Sequence, residues 1–227
     1  MQSSKPRPVD NDATEIAGEA AAHGRGNWLA VLISGLALTG SIVSLWETTL
    51  KQPEIKLYVS ENIQYTRDPY GPFEVLAVPV TITNSGARDG AVLSLQLEAK
   101  SLATGQIEKF KSSYVADAQY FGSRDDVAER LKRPKTPFAP ISVSGRSAFT
   151  GTVLFYRSGS SGKNLIEPAS KLEMTLSVTL PAPSGWLDKA LATDPPAVTI
   201  KADVPTFFPG ALLSGDNAPL QVTSGAF

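Results

Sequence analysis

The pattern of apolar and polar residues changes once along the chain, near residue 50. From Asn27 to Trp46 nearly every residue is apolar or small, and none is charged. After Lys51 apolar and polar residues alternate in short runs. A continuous apolar run of about 20 residues is typical of a membrane-spanning helix, whereas a period of two is typical of half-buried strands. The sequence therefore predicts one helix followed by a β domain.

The uncharged run is long enough to cross a bilayer. At about 1.5 Å per residue, a helix from Asn27 to Trp46 would be about 30 Å long, which matches the hydrocarbon thickness. Trp28 and Trp46 flank the run, and we expect both at the membrane interface, where aromatic rings are enriched. We predict a transmembrane signal anchor over 27–49. A buried core helix and a cleavable signal peptide stay open as alternatives.

Small residues recur along one side of this helix. The steps are four and three residues, which place the set on one face. The set is Ala30, Ser34, Ala37, Ser41 and Ser44. Small residues allow helices to approach closely in lipid. This face predicts packing with another copy or another membrane subunit; a tolerated run of small residues is the alternative.

The alternating region predicts an all-β domain over 50–206. The predicted strands are Ile55–Val59, Leu76–Ile82, Ala91–Ala99, Gln106–Lys111, Ile141–Val143, Phe149–Tyr156, Leu172–Leu180 and Val198–Val204. Seven to nine antiparallel strands favour an immunoglobulin-like antiparallel β-sandwich. Pro79 lacks an N–H, which predicts an edge strand or a bulge there.

The remaining segments lack the period-two pattern. Helix punctuation predicts short helices over 123–134 and 184–192. Residues 207–227 show no clear period, and we predict a loosely ordered C-terminal tail. Residues 1–26 are small and polar, and we predict a disordered cytoplasmic tail, with a weak helix near 13–22 left open.

The segment from Val78 to Leu93 contains an apolar strand, the turn Asn84-Ser-Gly86, and small residues that lead into the next strand. It resembles the strand–turn–strand signature of bacterial membrane-anchored immunoglobulin-like β-sandwich modules. The resemblance covers only this short part of the chain. It implies a fold and an extracytoplasmic location, and it implies no ligand site.

Composition excludes several kinds of chemistry. The chain has no cysteine, and its one histidine, His23, precedes the apolar run. A serine triad or a zinc site in the β domain would need those residues. The net charge of −1 offers no field for nucleic acid. We predict no enzymatic activity, no catalytic residues, no cofactor and no metal; a carboxylate pair assembled in space stays open.

Four apolar residues are candidates for a partner surface: Trp186, Leu187, Tyr120 and Phe121. Packing in the core or in loops is the alternative for each. The densest basic cluster could contact anionic lipid headgroups or form an ordinary solvated helix face. It consists of Arg124, Arg130, Lys132, Arg133 and Lys135.

Together these features predict a single-pass accessory protein of the inner (cytoplasmic) membrane. The predicted partners are the lipid bilayer and, in contact with the transmembrane helix, another protein or a second copy of the chain. The N-terminus would lie inside and the β domain in the periplasm or outside the cell. Flanking charges alone do not decide this orientation; the short tail before a folded C-terminal domain favours it. An adhesive module that recognises glycan or peptide is the alternative.

Overall fold

The computed structural model describes residues 12–67, 73–116, 135–159, 164–190, 194–213 and 217–225, with side chains from Trp28 onward except those of 187, 188 and 213. These residues divide into two units between Leu50 and Lys51. The first is helical and the second is almost entirely β-structure. The predicted change of character near residue 50 therefore coincides with the division of the chain.

The helical unit is longer than the apolar run. Helix α1 spans Asp12–Leu45 and continues as one π-helical turn over Trp46–Leu50. The helix begins before Asn27, so the interpretation of 1–26 as wholly disordered does not describe residues 12–26. This stretch is rich in alanine, the residue with the highest helix propensity. Its apolar residues show no helical period that fixes where the helix begins.

The β unit contains thirteen strands among the described residues. They are β1 (Ile55–Val59), β2 (Gln64–Arg67), β3 (Glu74–Asn84), β4 (Gly90–Val92), β5 (Ser94–Ser101), β6 (Ile107–Ala116), β7 (Lys135–Pro137), β8 (Ile141–Val143), β9 (Ser147–Arg157), β10 (Lys171–Thr179), β11 (Ala197–Asp203), β12 (Ala218–Pro219) and β13 (Gln221–Ser224). Two short helices, α2 (Trp186–Ala190) and α3 (Pro209–Leu213), complete it. Helix α2 confirms the helix predicted within 184–192.

Eleven strands form one antiparallel sheet that nearly closes on itself. The order is β12-β2-β3-β9-β6-β5-β10-β11-β13, with β1 also on β3 and β7 on β6. The end strands β12 and β13 are separated only by Leu220, whose amide donates to the Ile63 carbonyl at 2.8 Å. The chain thus joins the two edges of the sheet. The all-β antiparallel class is confirmed, but the observed arrangement is barrel-like rather than two large packed sheets.

The C-terminal segment is part of this closure, so the prediction of a loosely ordered tail over 207–227 was wrong for its described residues. Leu212, Ala218 and Leu220 are buried in the core. Strand β12 pairs with β2, and β13 pairs with β11. These strands have only two and four residues. These strands are ordered because they pair with strands that are distant in the sequence. Strands this short show no periodicity from which they could be predicted.

Pro79 lies in a strand that is paired on both sides, so it does not mark an edge. Strand β3 pairs with β9 along its length, whereas its other side is shared by β2 and then β1. The Pro79 carbonyl accepts from the Ser60 amide at 3.1 Å. In an antiparallel ladder the N–H and C=O of a residue point to the same side. The missing donor therefore faces the gap between β1 and β2.

The predicted strand Ala91–Ala99 is interrupted. Strand β4 pairs with β8 in a separate two-stranded sheet, and β5 joins the large sheet. Leu93 lies between them, 43% exposed, and its amide donates to the Thr179 carbonyl at 2.8 Å. The strand changes sheets at this residue, which is why its apolar side chain points outward.

Candidate functional site

The span Trp28–Leu50 is the one described helix that is long and apolar enough to cross a membrane. None of its 23 residues is buried, and large apolar side chains such as Leu36 are up to 73% exposed. A core helix would bury such side chains, so the described structure does not support that alternative. A signal sequence passes the same test of length and composition.

Three hydroxyl side chains of the span bond to carbonyls of their own helix. The hydroxyls of Thr39, Ser41 and Thr48 each donate to the carbonyl four residues earlier, at 2.7–2.8 Å. Hydroxyls bonded in this way suit a lipid environment, because no water is available there. The small-residue face Ala30, Ser34, Ala37, Ser41 and Ser44 is exposed along its whole length. Trp28 and Trp46 are 65% and 44% exposed.

Two buried polar side chains organise opposite ends of the β domain. One is Glu74, the first residue of β3, and the other is Asn84, the last residue of the same strand. We call the two ends the Glu74 end and the Asn84 end. Neither residue was singled out as functional from sequence, and Asn84 was noted only as part of a turn.

At the Glu74 end, the carboxylate of Glu74 accepts four hydrogen bonds. The donors are the Tyr65 hydroxyl at 3.0 Å, the Arg157 guanidinium at 2.8 Å, and the amides of Leu165 and Ile166 at 2.9 and 3.0 Å. A carboxylate offers about four lone-pair sites. The oxygens of Glu74 are therefore fully occupied, and its role is to hold the β9–β10 connection against β3.

Arg157 links two carboxylates at this end. Besides Glu74, it donates to Glu108 at 2.6 Å, and Glu108 also accepts from the Gln106 amide group at 2.9 Å. Burial lowers the pKa of Arg157, but the hydrogen bond to Glu108 and the charges of both glutamates outweigh it, so the net shift is upward. Arg157 therefore brings together two carboxylates that are distant in the sequence. The shared arginine and the saturated Glu74 indicate a structural role.

Tyr65 extends the network on the other side. Its hydroxyl accepts from the Arg67 guanidinium at 3.3 Å while donating to Glu74. Burial, followed by the nearby charge of Glu74, raises the pKa of Tyr65 well above its ordinary value. Its ring packs on Phe207, with centroids 5.6 Å apart. The neighbouring Phe208 is 76% exposed, which places an exposed aromatic residue at the Glu74 end.

At the Asn84 end, a neutral amide makes four hydrogen bonds. The carbonyl oxygen of the Asn84 side chain accepts from the amides of Glu54 and Gly86 at 3.1 and 3.0 Å. Its Nδ2 donates to the carbonyls of Arg88 and Val143 at 2.8 and 3.0 Å. This residue therefore ties three chain segments together, one of which is the first stretch of the β unit.

The first residues of the β unit are held closely at this end. The Lys51 carbonyl accepts from the amides of Ala87 and Arg88 at 3.1 and 3.2 Å. A Cβ on Gly86 would overlap the Gln52 carbonyl, so the close approach requires glycine. The Asn84-Ser-Gly86 turn therefore fastens the segment 51–54 to the sheet. The sequence showed the turn but not what it holds.

The candidate partner surface is only partly described. Trp186, in α2, is 77% exposed, so it does not belong to the core. The side chain of Leu187 lies outside the described residues, as do Tyr120 and Phe121 and the helix predicted over 123–134. Of the basic cluster, Lys135 is described, and its ammonium lies 4.6 Å from the centre of the Tyr114 ring.

Comparison with known proteins adds little. No protein-family model matches the chain. No curated protein matches it either. Among solved structures, it is similar to the ApaA protein of Bordetella pertussis at 14% identity and a TM-score of 0.30, over 57% of this chain and 82% of that chain. A likeness of that size carries no argument about fold or function.

Proposed function

We propose that the chain is a single-pass membrane protein that presents its β domain to a protein partner, as a non-enzymatic accessory subunit. The observation that carries the proposal is the fully exposed apolar span Trp28–Leu50, directly followed by a β domain fastened from its first residues. Exposed apolar surface of this extent needs lipid or another apolar partner.

Membrane extraction tests the anchor. The protein is expected to stay in the membrane pellet after alkaline carbonate treatment, and its intact mass is expected to include the residues around Trp28. Replacing Leu36 with Arg should release part of it, since a central arginine costs about 2.5–3.5 kcal/mol of insertion. A mature protein that begins after Trp46 would show instead that the span is a cleaved signal peptide.

The proposed location is the inner membrane, with the N-terminus inside and the β domain outside the cytoplasm. Support comes from Arg25 before the span and Glu47 after it. Because the chain has no cysteine, single substitutions can report the side of the membrane. An impermeant maleimide should label Lys100→Cys, which is exposed, in intact cells. Ser3→Cys should react only after lysis, and the reverse pattern would overturn the orientation.

The small-residue face is the proposed route of lateral assembly. Replacing Ser34, Ala37 and Ser41 together with Leu should weaken association in the membrane, because backbones could no longer approach closely. The control is the triple change of Gly35, Thr39 and Val43 to Leu, which adds bulk to the opposite side of the helix. Equal association of both variants and the wild type would show that this face is not an interface.

Co-purification in mild detergent tests the role of the β domain. A membrane partner recovered in a fixed ratio would support the accessory role. A monomer that instead binds wall or surface polymers would support the adhesive module.

The finer fold, an immunoglobulin-like sandwich, belongs to the same proposal. The change of sheets at Leu93 supports it, since strands switch layers in this way at the corners of sandwiches. An experimental structure in which β4 and β8 extend into a second layer would agree with it, and a fully closed barrel would not.

A further inference from the structure

The seam of the barrel-like sheet is closed by one short piece of chain, residues 217–225, which we call the seam segment. Its first strand, β12, pairs with β2, and its second strand, β13, pairs with β11. Leu220 lies between the two strands, and its amide donates to the Ile63 carbonyl at 2.8 Å. Among the described strands, the sheet order joins β2 to β11 through this segment.

The seam segment is held by few buried side chains. Ala218 and Leu220 are buried, and Val222 is partly buried against the core. The other residues of β12 and β13 are exposed. An element with few buried apolar contacts opens at a lower free energy than the central strands of the same domain. We therefore expect the seam to open while the rest of the sheet stays folded.

Opening of the seam would uncover two strand edges and an apolar groove between them. The edges of β2 and β11 would present unpaired N–H and C=O groups, which form a template for another strand. The positions left by Ala218 and Leu220 are two residues apart, which is the spacing of side chains on one face of a strand. The open seam is thus an acceptor for an extended segment that carries apolar residues at alternate positions.

The groove fits the sequence that occupies it in several specific ways. The side-chain amide of Asn217 donates to the side-chain oxygen of Gln64. At the other end of the segment, Gly225 has a φ of 88°, and a Cβ there would overlap the Thr199 carbonyl. This position therefore requires glycine. A partner that meets all of these requirements is one that carries the same sequence, and a second copy of this chain does so.

We propose that the seam is a site of strand exchange, in which the seam segment of one copy closes the sheet of a second copy. Each copy would donate its own segment and accept that of its partner, so the pairing of β12 and β13 seen in the single chain would be kept in a domain-swapped dimer. The proposal concerns the β domain by itself. It depends neither on the membrane span nor on association through the small-residue face.

Disulfide capture tests the exchange in the full-length protein, because the chain has no cysteine of its own. Asp203 and Gln221 are opposite each other in β11 and β13, and neither is buried. Opposed Cα atoms in an antiparallel pair lie about 4.5–5.5 Å apart, a distance that a disulfide can bridge. One copy would carry only Asp203→Cys, and a second copy with a different tag would carry only Gln221→Cys. After co-expression and mild oxidation we expect a linked heterodimer, since these two sulfurs can meet within the sheet only between copies.

Two controls accompany this pair. The first combines the Asp203→Cys copy with a copy that carries Lys109→Cys, an exposed position on β6, and it measures linkage by random collision. The exchange pair should give severalfold more heterodimer than this control. The second control carries Asp203→Cys and Gln221→Cys in one chain, and it should form the disulfide whether or not the segment is exchanged.

The possible outcomes bear on separate claims. Heterodimer at the level of the collision control, with the double variant linked only within its own chain, would overturn the exchange and leave the closed fold in place. A double variant that forms no disulfide would show that β13 does not pair with β11, and the inference would fail with this premise. Neither result bears on the membrane span, which carbonate extraction tests.

Discussion

At each end of the β domain a buried polar side chain holds a nearby chain segment in place, but the two side chains differ in chemistry. Each has one buried polar side chain that makes four hydrogen bonds and fastens a segment that has no ladder partner of its own. At the Glu74 end the organiser is a carboxylate paired with buried Arg157, and it holds the amides of Leu165 and Ile166. At the Asn84 end it is a neutral amide that holds the incoming segment at Glu54.

The difference predicts unequal tolerance. A buried charge is stable only while its partners remain, because an uncompensated charge in a low-dielectric interior is costly. A neutral amide leaves unpaired hydrogen-bonding groups when it is replaced, at a smaller cost each. The Glu74 end should therefore be the more sensitive of the two to a single isosteric change, although both ends look equally well bonded.

The largest effect is expected for Glu74→Gln. The change keeps the shape of the side chain and removes the negative charge beside Arg157. It also points an NH2 group at N–H or O–H groups that donate to Glu74 in the wild type. Breaking one partner of a buried pair costs about 3–5 kcal/mol. Guanidinium unfolding of the full-length protein in detergent, followed by near-ultraviolet circular dichroism, would measure the loss in free energy of unfolding.

The control for this change is Glu173→Gln. Glu173 also faces a cation, Lys201, at 3.7 Å, but both side chains are partly exposed. Exposed pairs contribute about 0–1 kcal/mol. If the Glu74 and Glu173 variants lose similar stability, the ion pair at the Glu74 end has no special role.

The matching change at the other end is Asn84→Leu, which keeps the branched shape and adds no charge, and for which we expect a loss of about 2–3 kcal/mol. The substitution leaves the Gly86 amide and the Val143 carbonyl, whose bonds to Asn84 are buried, without that partner, and each unsatisfied buried group costs about 1–3 kcal/mol. The same unfolding measurement applies. A loss larger than that of Glu74→Gln would reverse the proposed ranking of the two ends.

A smaller effect is expected for Gly86→Ala. The added methyl group would overlap the Gln52 carbonyl, and overpacking of this kind costs about 1–3 kcal/mol. Gly151→Ala is the control, because the atoms that its Cβ would approach belong to the side chains of Phe149 and Val115, outside segment 51–54. If the Gly151 variant is as unstable as the Gly86 variant, the close approach of segment 51–54 is not what requires glycine.

Much of the secondary structure could be predicted from sequence, because apolar and polar residues alternate in strands that have one face in the core and the other in solvent. Strand β10 shows this: Leu172, Met174 and Leu176 are buried and the residues between them are not. The apolar run before Lys51 was equally readable, since an unbroken run needs no partner to be recognised. The helical residues before Asn27 lacked such a signal.

Closure of the sheet and the two polar organisers could not be predicted in the same way. Glu74 and Arg157 are separated by 83 positions, and nothing local marks them as partners. Strands β12 and β13 are too short to show a period of two. They form by pairing with β2 and β11, which are distant in the sequence, and Leu220 between them bonds to Ile63. The Asn84 turn could be read, but its contact with Glu54 depends on a segment 30 positions earlier.

The smallest expected effect concerns Tyr65 and would show whether the Glu74 end depends on pH. At neutral pH, Tyr65→Phe removes the hydrogen bond to Glu74 and should cost about 1 kcal/mol. Burial and the charge of Glu74 raise the pKa of Tyr65 in the folded state above the ordinary 10.0. Below pH 10 the folded and unfolded states both keep this proton, so its contribution to stability is complete.

Above pH 10 the unfolded chain releases the proton while folded Tyr65 retains it, so stability falls as pH rises toward the folded pKa. One proton corresponds to about 1.4 kcal/mol per pH unit. The free energy of unfolding of Tyr65→Phe should therefore fall less steeply between pH 10 and 11 than that of the wild type. Tyr58→Phe, which removes a phenol from a side chain that is 40% exposed, is the control. Equal slopes for Tyr65→Phe and the wild type would mean that neither burial nor the charge of Glu74 raises the pKa of Tyr65 in the folded state, and the contrast between a charged and a neutral end would then rest on Arg157 alone.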